Sequence, residues 1–411
     1  MNVLYLDGVG PFGGASRSLF EAIRSLRERD VNAYFVAARG TALDLYRTVA
    51  ADAVDTAGLS RFDNTNYSQY RGIRWLILLR EIFHFPHTLL ALWRAKKRWS
   101  HIDLIHVNEV TELIPGLLAK AAFGVPLVVH VRSAQSKRPT WRTRWITSSL
   151  RRHADAIIAI DETVRSTLAP DLPVDVIQNS FTAKPASVAD ERLTTRLNAL
   201  RPTSLKVGFV GNLHVSKGIF DLVEAARQLR LEGRDVEFVI VGGHTRPGRG
   251  LKGWLLRRAG LAQDVHAELI ERINEAGVAD SFHLLGATQD IQRAYEYMDV
   301  IAFPSHFDAP GRPIFEAAFS AVPCITCIST PTPDTLKPGE TGLTVPARSP
   351  EALAQAIRSC EENRANVKRM GLNAQALARQ NFDPATNAGR LAAIYQRVRQ
   401  GHDSNGHTRA R

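Results

Sequence analysis

The chain has 411 residues, 45% of them hydrophobic and 23% charged, which is ordinary for a soluble globular protein. The length predicts two or three domains, and no run reaches the roughly 20 consecutive apolar residues that a membrane-spanning helix needs. The chain opens on an apolar strand rather than on the basic segment of a signal peptide. Its three cysteines, Cys324, Cys327 and Cys360, are too few for a disulfide framework, and we expect buried thiols in a reducing cytoplasm.

The positive charge is concentrated in one segment. Residues 71–152 contain 15 Lys/Arg and 4 Asp/Glu, and the difference, 15 − 4 = +11, equals the net charge of the whole chain. Such a one-sided field predicts an acidic partner, which could be a phosphorylated substrate, anionic lipid or nucleic acid. No stacked-aromatic nucleic-acid motif accompanies the charge, so we expect no nucleic-acid partner.

Two interpretations of residues 70–99 remain open. The segment is apolar and aromatic, with Phe83 and Trp93 among its members, and it ends in a basic cluster at 94–98. Core packing of two helices around Pro86 explains the apolar residues and is favoured for them. A peripheral surface facing anionic headgroups is favoured for the basic cluster.

Strands and helices alternate along the N-terminal half. Apolar runs predict strands at 2–6, 31–37, 104–107, 127–131, 156–160 and 174–177, and helices at 15–29, 113–122 and 162–168. Residues 44–63 carry no clear pattern. The alternation predicts an α/β domain with a doubly wound parallel sheet, Rossmann-like, at 1–182.

The loop after the first strand has the formal pattern G-x-G-x-x-G at Gly8, Gly10 and Gly13. A dinucleotide site would also need an acidic residue at the end of the second strand, where Arg39 stands. We therefore favour a simpler use of this loop, in which amides of its last turn face a phosphate. Further on, His130 lies near the carboxyl end of the strand at 127–131. This position is compatible with a core histidine and with a residue that faces a ligand.

The alternation breaks at 183–204, which we predict to be a linker. It restarts in a second Rossmann-like domain at 205–384. Strands are predicted there at 206–210, 237–241, 281–285 and 300–303, and helices at 220–231, 267–276 and 291–297. A basic excursion at 242–263, around Trp254, adds to the membrane hypothesis, and residues 385–411 are predicted to be a last helix with a polar tail. Two domains with ligand loops at facing sheet ends predict a cleft between them.

Residues 299–325 give the strongest functional signal. A buried strand at 300–303 leads into a polar loop, and Pro313 then starts a helix at its favoured first-turn position. In open α/β sheets, ligands bind at the carboxyl ends of the strands. The stretch is therefore predicted to be a ligand-binding loop.

Two carboxylates frame this loop. Asp308 lies within it and Glu316 lies in the first turn of the helix, while the amides of Gly311 and Arg312 lie near the positive helix end, which suits an anion. Carboxylates that bind hydroxyls beside amides that bind an anion indicate a phosphorylated sugar. The alternative is an ordinary turn with solvated charges.

A series of short motifs occurs in the order found in a known family. The motifs are GG at 13–14, VVHVR at 128–132, IQNSF at 177–181, GFVGNLHVSKG at 208–218, VIVGG at 239–243, FHLLG at 282–286, DVIAFPSHFDAPGRPIFEA at 299–317 and TGLTVPA at 341–347. Each is weak alone, and together they are specific. On these residues the chain resembles the group 1 (family 4) retaining glycosyltransferases of GT-B fold, in which two Rossmann-like domains face each other across a cleft.

The resemblance implies a nucleotide-sugar donor held mainly by the C-terminal domain. Family members carry two glutamates with seven residues between them, which match Asp308 and Glu316 here. Glu316 would then bind the ribose hydroxyls, and Asp308 the sugar hydroxyls near the reacting carbon. The resemblance also implies that Lys217 binds the pyrophosphate.

The family arginine is replaced by Asn212 in this chain. We expect Arg312 or Arg132 to supply the missing charge. Gly14 is expected to approach the phosphate from the N-terminal domain, and His130 matches the family histidine near the sugar and the acceptor.

The resemblance implies a retaining glycosyltransferase that needs no metal or other cofactor. It would use a UDP- or GDP-sugar and act on a glycan or lipid-linked acceptor at the cytoplasmic membrane face, in cell-envelope polysaccharide or glycolipid synthesis. Two alternatives remain: an epimerase or hydrolase of nucleotide sugars with the same fold, and a non-catalytic binding module. The base, the sugar, the acceptor and the linkage do not follow from the sequence.

Overall fold

The computed structural model describes residues 1–66, 77–183, 190–243, 265–308 and 310–409. The chain divides into two compact units: the first comprises Met1–Thr182 and Asn381–Arg411, and the second comprises Ala183–Gln380. Most of the predicted excursion at 242–263, including Trp254, lies outside the described residues, as does the start of the apolar segment at 70–76. Among the helices that the structure describes, none combines the length and the apolar character needed to cross a bilayer.

The first unit is built on a seven-stranded, fully parallel sheet with the order β3-β2-β1-β4-β5-β6-β7. Its strands are β1 (Asn2–Asp7), β2 (Asn32–Ala38), β3 (Asp52–Thr56), β4 (Leu104–Val107), β5 (Leu127–Val131), β6 (Ala156–Ala159) and β7 (Val174–Val176). The helices along the chain are α1 (Gly14–Arg27), α2 (Thr41–Tyr46), α3 (Ile77–Arg98), α4 (Leu113–Phe123), α5 (Trp141–His153) and α6 (Glu162–Arg165).

The second unit contains a six-stranded parallel sheet with the order β10-β9-β8-β11-β12-β13. The strands are β8 (Leu205–Val210), β9 (Val236–Val241), β10 (Phe282–Gly286), β11 (Val300–Phe303), β12 (Cys324–Thr326) and β13 (Gly342–Thr344). The helices are α7 (Glu191–Asn198), α8 (Ile219–Leu231), α9 (Val265–Glu275), α10 (Ile291–Glu296), α11 (Arg312–Ala318), α12 (Pro350–Glu362) and α13 (Arg364–Asn381). Two doubly wound parallel sheets confirm the predicted fold class.

Both faces of each sheet are buried. In β1, Leu4 and Leu6 belong to one apolar cluster, while Val3 and Tyr5 belong to a cluster on the opposite face. In β11, Ala302 and Ile301 are divided between two clusters in the same way. Burial on both sides explains why these strands appear in the sequence as continuous apolar runs. It also leaves only the strand ends free to present polar side chains.

The last helix, α14 (Pro384–Arg409), belongs to the first unit and contacts α1. It contributes Leu391 and Tyr395 to the core there, and it continues through residues predicted to be a polar tail. The predicted linker at 183–204 contains α7, because Leu193 and Leu197 form an apolar face that is buried in the second unit. All three cysteines are buried and unpaired, as predicted.

The structure of α3 corrects one prediction. The segment is a single helix that runs through Pro86, and its large apolar residues are exposed rather than packed in a core. Phe83 is 66% exposed and Trp93 is 54% exposed. The helix packs through Leu92 and Ala95 instead. Because α3 carries apolar residues on two opposite faces, the sequence pattern did not show which face is buried.

Candidate active site

The loop after β8 positions Lys217. Residues Val215–Lys217 form a single 3₁₀ turn, and Gly218, in a left-handed conformation with φ +72°, joins this turn to α8. A Cβ at position 218 would lie 2.0 Å from the carbonyl oxygen of Pro304, so only glycine allows this approach. The amide of His306 also donates to the carbonyl of Ser216 at 2.9 Å. The loops after the neighbouring strands β8 and β11 are therefore held together.

The Lys217 ammonium lies against aromatic rings rather than beside an acid. Nζ is 5.1 Å from the ring centroid of Phe303 and 5.7 Å from that of Phe307. Throughout the described residues, no carboxylate lies within ion-pair distance of this nitrogen. Burial lowers the pKa of Lys217 from its ordinary value. A partly desolvated cation supported only by ring faces attracts an anionic ligand strongly.

The same loop carries Asn212, whose neutral side chain is exposed. Its backbone follows Gly211, which has φ +141° and lies so close to Gly242 that a Cβ on Gly242 would be 1.8 Å from the Gly211 carbonyl oxygen. The loop conformation is thus fixed by two glycines. Position 212 contributes no charge to this edge of the sheet.

The loop after β11 ends where α11 begins, with Gly311 at the helix N-cap and Pro313 in the first turn, as predicted. A Cβ on Gly311 would lie 2.3 Å from the ring of Phe303, so the glycine permits close packing of the loop on β11. Phe303 therefore contacts Gly311 on one hand and supports Lys217 on the other. The structure therefore brings Gly311 and Lys217, both predicted site residues, to the carboxyl end of β11.

Glu316 and Arg312 form an ion pair within α11. Arg312 Nε donates to Glu316 Oε1 at 2.8 Å, and the hydroxyl of Tyr295 donates to Oε2 at 3.2 Å. The side chains of Glu316 and Arg312 are 6% and 14% exposed. The two charges offset each other at this distance. Arg312 is thus a weaker source of uncompensated positive charge than Lys217.

Asp308 is exposed and bonds to the loop that follows β12. Its Oδ1 accepts from the amide of Ser329 at 2.8 Å, and its Oδ2 accepts from the hydroxyl of the same residue. Next to it, His306 Nε2 lies 2.8 Å from Asp221 Oδ2 in the first turn of α8. The sequence analysis missed this His306–Asp221 pair. The signal for it was present, since His306 lies in the loop after the strand predicted at 300–303 and Asp221 lies in the first turn of the helix predicted at 220–231.

In the first unit, Gly14 is the first residue of α1, directly after the glycine-rich loop. Gly13 is the N-cap residue, with an extended backbone, and among the described residues no side chain caps the helix. A Cβ on Gly13 would have no neighbour within 4 Å. The start of this 14-residue helix is therefore open, and its positive end suits an anion.

His130, in β5, is 4% exposed. Its Nδ1 lies 3.3 Å from a terminal nitrogen of Arg132, which can only donate, so Nδ1 accepts and the ring proton resides on Nε2. No described residue accepts a hydrogen bond from Nε2. Burial, then the charge of Arg132 and the neighbouring His106, hold the pKa of His130 well below its ordinary value. The side chain is a neutral donor without an acceptor.

Arg132 is oriented by neutral acceptors at the ends of two other strands. Its Nε donates to the carbonyl and side-chain oxygens of Asn108, at 3.0 and 2.8 Å, and Nη1 donates to Asn179 Oδ1 at 2.8 Å. Glu109 lies beside it and accepts from Ser133 Oγ at 2.8 Å and from the amide of Arg132 at 3.3 Å. Burial raises the pKa of Glu109 to about 7.

The sequence analysis did not identify three further polar residues in this part of the first unit's sheet. They are Glu109, the buried Asp7 at the end of β1, and His106, whose Nδ1 lies 2.5 Å from Tyr395 Oη. Asp7 accepts hydrogen bonds from Ser16 and Asn108, each at 3.2 Å. The acids could have been found, because each stands at or just after the end of a predicted strand. His106 could not, because its partner lies in α14.

Two family models match consecutive parts of the chain. The model described as "Glycosyltransferase Family 4" matches residues 12–181, and the model described as "Glycosyl transferases group 1" matches residues 194–377. The chain belongs to the group 1 glycosyltransferases. The matches confirm the resemblance drawn from the motifs.

Curated relatives of this group 1 glycosyltransferase include a lipopolysaccharide core mannosyltransferase and a D-inositol 3-phosphate glycosyltransferase. The lipopolysaccharide core biosynthesis mannosyltransferase LpcC of Rhizobium leguminosarum is 26% identical over 311 residues, 75% of this chain and 81% of the relative. The D-inositol 3-phosphate glycosyltransferase of Corynebacterium glutamicum is 25% identical over 400 residues, 91% of each protein.

Solved structures confirm the GT-B fold of this group 1 glycosyltransferase. The Anabaena protein Alr3699/HepE in complex with UDP has a TM-score of 0.73 at 22% identity, covering 96% of this chain and 100% of the other. The same protein in complex with UDP-glucose has a TM-score of 0.70 at 23% identity, with coverage of 98% and 100%. At this level of identity the likeness concerns the fold.

Proposed function

We propose that the protein is a retaining glycosyltransferase that moves a sugar from a UDP- or GDP-sugar to a glycan or lipid-linked acceptor at the cytoplasmic face of a membrane. The observation that carries the proposal is the Lys217 ammonium. It is partly buried, lies on two ring faces, and has no carboxylate partner among the described residues. A group of this kind is suited to a diphosphate whose charge grows as the sugar departs.

The other donor contacts are assigned from the family pattern. Glu316 binds the ribose hydroxyls, and Asp308 binds sugar hydroxyls near the reacting carbon. Gly311 offers its amide beside the phosphates, where Asn212 provides a neutral side chain in place of the family arginine. This assignment is supported by the position of Gly311 and Lys217 on one strand end, where both contact Phe303.

On the first unit, the family pattern assigns two further residues, Gly14 and His130. The open start of α1 at Gly14 suits a phosphate oxygen. The neutral His130 donates its Nε2 hydrogen to an oxygen of the sugar or of the acceptor substrate. This oxygen accepts the hydrogen bond for which Nε2 has no partner among the described residues. Arg132 holds the imidazole in the tautomer that makes this possible.

In the proposed reaction, the bond between the anomeric carbon and the diphosphate breaks as the acceptor hydroxyl attacks from the same face. The hydroxyl proton passes to the leaving phosphate oxygen, so the anomeric configuration is retained. Lys217 stabilises the leaving diphosphate, and we propose that its fixed charge makes a metal ion unnecessary. No side chain is assigned as a covalent nucleophile.

The relatives narrow the proposed substrates. HepE of Anabaena has been solved with UDP and with UDP-glucose, which favours a UDP-sugar donor. LpcC of Rhizobium leguminosarum acts in lipopolysaccharide core synthesis and CapM of Staphylococcus aureus in capsular polysaccharide synthesis, which favours an envelope glycan as acceptor. The basic segment at 71–152 favours an acceptor presented at an anionic membrane.

Calorimetric titration with UDP and with GDP, followed by a transfer assay with the matching sugar nucleotide, tests the proposal. We expect micromolar binding of one nucleoside diphosphate by the wild type and weak binding by Lys217→Ala. If the wild type bound neither UDP nor GDP, the proposal would be refuted. Release of free sugar at full rate without an acceptor would favour the hydrolase alternative, and binding without turnover would favour a binding module.

A further inference from the structure

Helix α3 exposes an unusually apolar face. Eleven large hydrophobic side chains are exposed among the described residues of the whole chain, and seven of these belong to this one helix. They are Leu79, Ile82, Phe83, Phe85, Leu89, Leu90 and Trp93, with exposed fractions from 40% to 66%. Contiguous exposed apolar surface of this kind marks an interaction site rather than ordinary surface.

These side chains form one stripe, opposite the face by which the helix packs. At about 100° per residue, every member except Phe85 falls within an arc of about 120°. The residues that face the unit are on the other side of the helix: Glu81, Thr88, Ala91, Leu92 and Ala95. From Leu79 to Trp93 the stripe is about 21 Å long. The packing of α3 is thus complete without the stripe.

The charges along the stripe have one sign. The acidic residue of α3, Glu81, is 3% exposed and pairs with Arg80 at 2.6 Å. The stripe ends at Arg94, Lys96 and Lys97, which are exposed and have no carboxylate partner among the described residues. Nζ of Lys97 lies 4.1 Å from the ring centroid of Trp93. An apolar stripe with a basic end matches an anionic surface that has an apolar interior.

A further exposed aromatic side chain, Trp141, belongs to another helix of the same unit. The amide of Arg61 donates to the carboxylate of Glu81 at 2.8 Å, and the ring of the adjacent Phe62 is 5.5 Å from that of Trp141. Trp141 is 62% exposed and begins the basic helix α5. The same unit therefore exposes an aromatic side chain on a second element that carries positive charge.

We propose that α3 lies in the interface of an anionic bilayer, with its apolar stripe among the acyl chains and with Arg94, Lys96 and Lys97 at the headgroups. The inference rests on the proposed function, since it names the surface by which the enzyme reaches a membrane-borne acceptor. Helices of this kind, with an apolar face and cationic residues, bind in the membrane plane. Positive charge near the headgroups strengthens such binding when the lipid is anionic.

Flotation of the full chain with lipid vesicles tests the inference. We expect the wild type to float with vesicles of phosphatidylcholine plus phosphatidylglycerol, and more weakly with phosphatidylcholine alone. The double variant Phe83→Glu/Trp93→Glu should reduce the bound fraction of protein at least tenfold, and Lys96→Gln/Lys97→Gln should reduce it by roughly tenfold. The tryptophan fluorescence of the wild type should shift to the blue when vesicles are added, and this shift should be smaller in the Phe83→Glu/Trp93→Glu variant.

The second unit offers matched controls. Leu231 and Leu372 are 75% and 62% exposed, so Leu231→Glu/Leu372→Glu makes the same chemical change elsewhere and should leave flotation unchanged. Lys368→Gln is the control for the lysine pair. Wild type that does not float, or a Phe83→Glu/Trp93→Glu variant that floats like wild type, would overturn the inference. It would also be overturned if the wild type were a dimer that this variant makes monomeric, since a second copy would then cover the stripe.

The enzymatic proposal can fail separately. We expect Phe83→Glu/Trp93→Glu to keep the nucleotide affinity of the wild type and its transfer to a soluble acceptor, while Lys217→Ala keeps vesicle binding and loses nucleotide binding. If the wild type did not bind a nucleoside diphosphate, the proposed function would be wrong. If the wild type bound the nucleotide but not the vesicles, only the proposed membrane binding by α3 would be wrong.

Discussion

Nδ1 of His130 lies 3.3 Å from a terminal nitrogen of Arg132, and this contact fixes which imidazole nitrogen carries the proton. Because the guanidinium only donates, Nε2 is the donor, and no described residue accepts from it. His130→Ala should therefore lower kcat/KM by roughly 10- to 100-fold, since a buried hydrogen bond to the ligand is lost. Nucleotide affinity should change little, and steady-state kinetics with calorimetry measures both.

The matched control for this prediction is His153→Ala, which removes an exposed histidine of the same unit. Its kinetics should equal those of the wild type. Because the pKa of His130 is held well below its ordinary value, the wild-type activity should also show no inflection from this histidine near pH 6.5. Unchanged kcat/KM in His130→Ala would remove the assigned contact.

His106 predicts a pH-dependent stability. It is fully buried, its Nδ1 lies 2.5 Å from Tyr395 Oη, and burial lowers its pKa to about 3. Between pH 6.5 and 3 the unfolded chain binds a proton here that the folded chain does not, so this histidine makes the fold less stable as pH falls. From pH 7.5 to pH 5 the cost should reach about 2 kcal/mol.

The test compares urea unfolding of the wild type and His106→Gln at pH 7.5 and pH 5. Raised carboxyl pKa values at Asp7, Glu109 and Glu112 act in the opposite direction, but both proteins share them. The stability advantage of the wild type should therefore shrink by about 2 kcal/mol at the lower pH. An advantage that stays constant would show that His106 titrates normally in the folded state.

Lys217 should be essential for catalysis and dispensable for folding. Lys217→Ala removes a partly buried cation with no carboxylate partner among the described residues, so its thermal midpoint should equal or exceed that of the wild type. Its kcat should fall by roughly 10²- to 10³-fold, as expected when a group that stabilises developing charge is removed. Lys368→Gln, an exposed lysine of the same unit, is the control. Full activity in Lys217→Ala would contradict the proposed mechanism.

The motif order and the periodicity together predicted most of the fold. Strands β4, β5 and β11 have the predicted bounds, because each is buried on both faces. Strand β3 was missed because it is the edge strand of its sheet and carries Asp52 and Asp55, which break the apolar run. For α3, the prediction of two core helices around Pro86 was wrong, because the apolar residues lie on two faces of one helix and the pattern did not show which face is buried.

The candidate site was predicted in part. Lys217 and Gly311 were placed correctly at a strand end, because spacing along the chain fixes which loop follows which strand. What the sequence analysis did not predict is pairing. The Arg312–Glu316 ion pair was readable from its four-residue spacing on a helix. The contact of His106 with Tyr395 joins residues 289 positions apart and needed the fold.

The Arg312–Glu316 pair should show strong coupling in a double-mutant cycle. Both side chains are largely buried, so Arg312→Gln alone leaves a buried carboxylate without the charge of the guanidinium and should destabilise the fold by roughly 3 kcal/mol. Glu316→Gln alone removes the carboxylate that the guanidinium faces and should cost a similar amount. The double variant should recover at least half of the summed loss, because neither charge then remains buried alone. Urea unfolding of the four proteins at pH 7.5 measures the coupling.

The control is the exposed pair Arg293 and Glu296, which lies 3.1 Å apart in the same unit. A double-mutant cycle with Arg293→Gln and Glu296→Gln should show a coupling energy below about 0.5 kcal/mol. Equal coupling in the two cycles would mean that burial does not strengthen the α11 pair, and Arg312 would then again be a candidate for the charge that Asn212 lacks.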